Sequence, residues 1–138
     1  MLIENSIQGY SSELEFARIC LSKGIQCSKP LFPDKYDFIT DFNGKLVRVQ
    51  VKSTRYRVKD RKSVSYMVNV SNGKDKSYVK EQVDILAIHV IPENKWYLVP
   101  VELADKVTKL RITISRVNAR KFNTTQDMYE GNWHILTD

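Results

Sequence analysis

At 138 residues the chain is the size of one ordinary domain and long enough to bury a core. Its 42% hydrophobic content excludes a disordered polymer, and no apolar run approaches the ~20 residues a membrane-spanning helix needs. The net charge of +6 favours a polyanionic partner, while two cysteines without CxxC spacing and two unclustered histidines argue against a zinc site or a disulfide framework.

The opening "MLIENSIQGY" lacks the basic and long apolar regions of a signal peptide, so a cytoplasmic location is expected. From Ser6 to Lys23 the apolar residues Ile7, Tyr10, Leu14, Ala17 and Leu21 recur every three or four positions. This spacing predicts an amphipathic helix, stopped by Gly24. "IQCSKP" reads as a short strand before the turn-rich "LFPDK".

Tyr36 to Phe42 and Lys45 to Ser53 read as a hairpin about Asn43-Gly44, since Asn-Gly readily supplies the positive φ angles of a two-residue turn. Alternation in the second strand sets Val47, Val49 and Val51 on one face and Arg48, Gln50 and Lys52 on the other. "RYRVKDRK" is a charged turn or strand extension, and Val64 to Val70 alternates as a strand. "SNGKDKSYVKEQ" reads as a loop with room for one helical turn. The continuous apolar run Val83 to Val90 predicts a strand buried on both faces. "KWYLVPVEL" returns as a strand, "LRITIS" is another, and a polar tail carrying Trp133 follows as irregular or helical chain. The order of elements predicts an α/β or α+β fold around a mixed sheet, with no linker or internal repeat.

A helix-borne acid, Glu13, an acid before a hairpin, Asp37, and the pair Gln50 and Lys52 on the following strand form one pattern. In it the sequence resembles the PD-(D/E)XK nuclease superfamily, where an acid precedes a hairpin and (E/D/Q)-x-K lies on its second strand. "YDFITDFNGKLVRVQVKS" and "VDILAIHVIPENKWYLVPVE" look like the branch of group I intron-encoded homing endonucleases with a Q-x-K motif. The resemblance covers roughly residues 9 to 103. It implies a restriction-endonuclease-like α/β core, a mixed β-sheet flanked by helices, with residues 1–138 forming a single nuclease domain. It also implies a Mg2+ site, with Mn2+ as substitute, held by Asp37, the Gln50 amide and the Val51 backbone carbonyl. Lys52 would position the attacking water and Glu13 would complete the site. "PD" occurs literally at Pro33-Asp34, so Asp34 competes for the acidic role; Asp37 is preferred because "YDFIT" opens an apolar strand. Glu15 competes with Glu13 but lies about 200° from it on the helix.

From Lys45 to Lys62 eight basic residues face one acid, Asp60. Strand-edge protection is the bland account. The functional one is contact with DNA phosphates through Arg48, Arg55, Arg57, Lys59, Arg61 and Lys62, with Arg55, Arg57, Lys59 and Arg61 alternating along a ribbon that enters a major groove. His89 reads as a strand histidine rather than a ligand, and Trp96, Tyr97 and Trp133 as core or interface anchors. No glycine-rich phosphate loop suggests a nucleotide cofactor.

The expected function is a metal-dependent endonuclease acting on double-stranded DNA, of homing type, working as a homo-oligomer (dimer or tetramer) because one chain carries one site. A Holliday-junction resolvase or another nuclease of the superfamily is the nearest alternative. A DNA-binding module that has lost catalysis is the alternative from another class.

Overall fold

The computed structural model describes residues 2–72, 76–116 and 127–138. Among the described residues the one α-helix, α1 (Leu2–Ser22), is followed by β1 (Gln26–Ser28), the hairpin strands β2 (Phe38–Phe42) and β3 (Lys45–Thr54), and β4 (Ser63–Asn69). Then come β5 (Ile85–Val90), β6 (Lys95–Pro100) and β7 (Lys109–Arg116). Short 3-10 turns follow β5 and β6 and recur at Asp127–Tyr129 and Trp133–Leu136.

Gly24 ends α1 as expected. At φ 75° it lets its own N–H reach the Leu21 carbonyl and the Ile25 N–H reach that of Cys20, a Schellman closure. Asn43 (φ 51°) and Gly44 (φ 89°) make the tight turn of the hairpin, and Asp41 Oδ1 accepts the Gly44 N–H at 3.0 Å.

Five strands form a mixed sheet in the order β1-β2-β3-β5-β6. Its pairs are antiparallel except β3 with β5, where Val49 lies beside Ile85 and Lys52 beside Ile88. β5 is buried along its whole length, as its unbroken apolar run predicts. Phe16 and Cys20 of α1 pack on one sheet face with Phe38, Val47, Val49, Val51, Trp96 and Leu98. The other face is covered by the two-stranded sheet β4–β7 through Tyr66, Val68, Leu110 and Ile112. The expected α/β mixed sheet is therefore present, but among the described residues a helix flanks one face and a β-ribbon the other. Within the polar tail, residues 117–126 lie outside the described residues, as do residues 73–75 of the expected loop.

The face of α1 that meets the sheet is not the one carrying most of its apolar stripe. Ser12, Phe16 and Cys20 are buried, whereas Ile7, Tyr10, Leu14 and Leu21 are exposed. Packing against a flat sheet selects small and aromatic side chains here: Ser12 Oγ meets His89 Nδ1 at 2.8 Å, and Phe16 sits among Phe38, Trp96 and Trp133. His89 stacks on Trp96 with ring centroids 4.4 Å apart, consistent with a strand histidine. Trp96 and Tyr97 are core residues, and Trp133 packs at the core margin.

Candidate active site

Asp37 precedes β2 by one residue and sits against the middle of β3. Its N–H donates to the Val49 carbonyl at 2.8 Å, and its Oδ2 accepts the Val51 N–H at 2.8 Å. A strand residue directs its N–H and C=O to the same side, so Val51 turns its carbonyl toward Asp37 and away from the β5 ladder. The Arg48 carbonyl, which takes the Asp84 N–H, belongs to the opposite set. Gln50 and Lys52 are half-buried on one face of β3, and Val49 and Val51 are buried on the other.

Lys52 lies beneath the loop that follows β4. Its Nζ donates to the Ser71 carbonyl at 3.2 Å and stands 5.1 Å from the centroid of the Tyr78 ring. Burial pushes the Lys52 pKa below its usual value, opposed by the charge of Asp37. Burial also raises Asp37 to about 6, with the Glu13 charge adding to the rise, while the Val51 N–H, Lys29 and Lys52 lower it. Tyr78 is raised to about 12 by burial and then by Asp37.

Glu13 approaches from α1, with its Oε1 2.6 Å from Lys29 Nζ. Glu13, Lys29, Asp34, Tyr36 and Asp37 line one cavity of about 290 Å³. Of the competing acids, Asp34 is exposed in this rim and caps the Lys35 N–H, whereas Asp37 is tied to β3. Glu15 is bound to Arg18 on the helix surface. The structure thus gathers Glu13, Asp37, Val51 and Lys52 at one edge of the hairpin, with Gln50 on the same face as Lys52.

These groups suit a hard divalent cation. Burial raises the Asp37 carboxyl to about 6 in spite of Lys29 and Lys52 nearby, and the Asp37 carboxylate, Val51 carbonyl and Gln50 amide are all oxygen donors of the kind such an ion takes. Sequence reasoning missed Lys29, Tyr78 and the Ser71 carbonyl. Lys29 carries the signal of a cation beside the acid-bearing turn, but nothing local marks Tyr78, which a long loop brings to Lys52.

The basic run divides in two. Tyr56 and Val58 bond to β4, and Arg57 bridges Tyr66, so Arg55, Arg57 and Lys59 continue the ribbon with exposed side chains. Asp60 then turns the chain by accepting the Lys62 N–H and the Ser63 hydroxyl. Arg61 and Lys62 are exposed in that turn, so the expected alternation stops before Arg61. Arg48 stands apart from the rest of the run. Its guanidinium is committed to Asp84 and to the carbonyls of Lys80 and Glu81, because Asp84 opens the strand parallel to β3 and needs that charge. Against the pull of burial, Arg48 and Lys80 hold the Asp84 carboxyl well below the usual carboxylate range.

The chain belongs to the PD-(D/E)XK endonuclease family, whose model matches residues 7–131. The fold is also similar to that of a bacterial homing endonuclease, I-Ssp6803I: the TM-score is 0.74 at 22% identity, covering 94% of this chain and 88% of the other. No curated protein matches the sequence. Among the described residues no helix is long and apolar enough to cross a membrane.

Proposed function

We propose that residues 1–138 act as one nuclease domain, a metal-dependent endonuclease that hydrolyses phosphodiester bonds of double-stranded DNA at a specific site, as a homing enzyme does. The observation that carries this reading is Asp37 clamped to the Val51 N–H with half-buried Lys52 beside it. Asp37, Gln50 and the Val51 carbonyl would hold Mg2+ or Mn2+, which would supply Lewis acidity toward the attacking water and the scissile phosphate.

The chain's own groups do the remaining work. The Val51 N–H fixes the Asp37 carboxylate so that its second oxygen is available to a cation. The Ser71 carbonyl engages one hydrogen of the Lys52 ammonium, leaving others for the attacking water and a phosphate oxygen. The Tyr78 ring beneath Lys52 keeps that charge in place without neutralising it. Negative charge developing on the phosphoryl oxygens then meets the preorganised Lys52 ammonium as water adds to phosphorus and the P–O bond to the departing strand breaks, that strand leaving with a protonated oxygen. Glu13, held by Lys29, orients water from the helix side.

Arg55, Arg57, Lys59, Arg61 and Lys62 supply phosphate contacts to duplex DNA, and a homo-oligomer brings the second site needed to cut both strands.

The test is cleavage of randomised duplex DNA by the purified protein with Mg2+ or Mn2+, beside Lys52→Ala. Cuts clustered at one long motif, lowered at least ~100-fold in the variant with DNA binding retained, are expected. Metal-independent cuts, or cuts unchanged in Lys52→Ala, would overturn the mechanism. Preference for a four-way junction would point to a resolvase, and binding without cleavage to a module that has lost catalysis.

A further inference from the structure

Among the described residues, four members of the apolar stripe of α1 are left exposed, while Ala17 packs at the core margin. Ile7 is 62% exposed, Tyr10 66%, Leu14 73% and Leu21 59%. With Phe16 at the centre of the packed face, a 100° step places these four at about 120–180° from it, on the opposite side of the helix. Their spacing is heptad-like: Ile7, Leu14 and Leu21 recur every seven residues, with Tyr10 and Ala17 three further on from the first two.

We propose that this stripe is the interface with a second copy of the chain, α1 packing against α1 about a two-fold axis. Three observations select that occupant. A heptad stripe is the pattern by which one helix seats another, and every copy presents it, as an isologous two-fold contact requires. The four side chains offer on the order of 500 Å² of exposed apolar surface, at the upper end for the largest patch on an ordinary monomer. Leu31 and Phe32 are almost wholly exposed, and Leu31 shares the wall of the Glu13 and Asp37 cavity with Tyr10. With them the apolar surface reaches roughly 900 Å², about what each partner contributes to a stable interface of standard size.

The proposal locates the assembly that the nuclease reading requires and rests on that reading only for its effect on cleavage. Because Tyr10 belongs both to the stripe and to the cavity rim, association would set the partner copy beside the active site. The two sites of a dimer would then be held at a fixed separation across α1.

The test is sedimentation velocity of the full chain from micromolar to tens of micromolar, beside Leu14→Glu and Leu46→Glu. Leu46 is similarly exposed but lies on β3. Circular dichroism checks that each variant is folded, and Ile7→Ala provides a milder second probe of the stripe. The expected result is association of the wild type and of Leu46→Glu. In Leu14→Glu the dissociation constant should rise at least ~100-fold, because the two-fold introduces the buried carboxylate twice. Ile7→Ala should weaken association by ~10-fold or more. A monomeric wild type, or a folded Leu14→Glu that associates normally, would overturn the proposal. So would a folded Leu14→Glu that associates normally but loses DNA affinity, since the stripe would then meet DNA. Loss of cleavage with association intact in the wild type would count against the nuclease reading alone.

Discussion

Replacing Asp37 with asparagine should make the protein inactive and more stable at the same time. The folded carboxyl titrates at about 6 against an ordinary 3.8, a gap worth about 3 kcal/mol. Part of the group remains solvated, so screening reduces the expected gain to ~1–2 kcal/mol. Below the unfolded value both states hold the proton and the group has no effect on stability. As pH rises from 3.8 to about 6 the unfolded chain ionises first, and folding loses stability; above about 6 the loss is complete. The amide introduced by Asp37→Asn carries no charge and still offers an oxygen to the Val51 N–H. Urea unfolding should therefore show Asp37→Asn more stable than the wild type at pH 8, with the difference vanishing near pH 3.5. In thermal unfolding the pH 8 difference amounts to ~3–8 °C for a chain of this length. Added Mg2+ should raise the wild-type melting temperature and leave that of Asp37→Asn unchanged. Equal stability of the two proteins at pH 8, or a difference independent of pH, would refute the claim that burial of the Asp37 charge outweighs its compensation by the Val51 N–H and the nearby lysines.

Arg48→Ala should destabilise the fold by ~2–3 kcal/mol in urea, since it strips charge-assisted hydrogen bonds from part-buried Asp84, while DNA affinity measured on the folded protein stays within ~2-fold. A large loss of affinity would restore it to the DNA surface. Replacing both Arg57 and Lys59 with Ala should lower the slope of log K against log salt by up to ~1.8 in filter binding, and an unchanged slope would remove this ribbon from the phosphate contacts. Tyr78→Phe keeps the ring beneath Lys52 and should leave kcat within ~3-fold. Tyr78→Leu removes it and should lower kcat by ~5–20-fold in single-turnover cleavage.

Local chemistry made much of this protein legible. The Asn43-Gly44 turn, alternation along β3 and the unbroken apolar run of β5 depend on nearest neighbours and strand period, so their elements could be read from the sequence with ends off by one or two residues. Asp37, Gln50, Val51 and Lys52 lie within sixteen positions of one hairpin, which is why their juxtaposition was readable too. Arg48 was not: alternation placed it with Gln50 and Lys52, but its partner Asp84 arrives from a strand thirty-six positions away. Tyr78 reaches Lys52 only through the loop between β4 and β5.

The helix shows the division most clearly. Its period, its apolar stripe and its stop at Gly24 were properties of the sequence by itself. Which side would meet the sheet was not, because a helix with two usable faces is oriented by the shape and chemistry of what it packs against. Phe16 fits among Phe38, Trp96 and Trp133, and Ser12 fits His89, so the tertiary structure buried the less apolar side and left Ile7, Tyr10, Leu14 and Leu21 at the surface. Periodicity determines that a face exists; only the assembled sheet decides which face it takes.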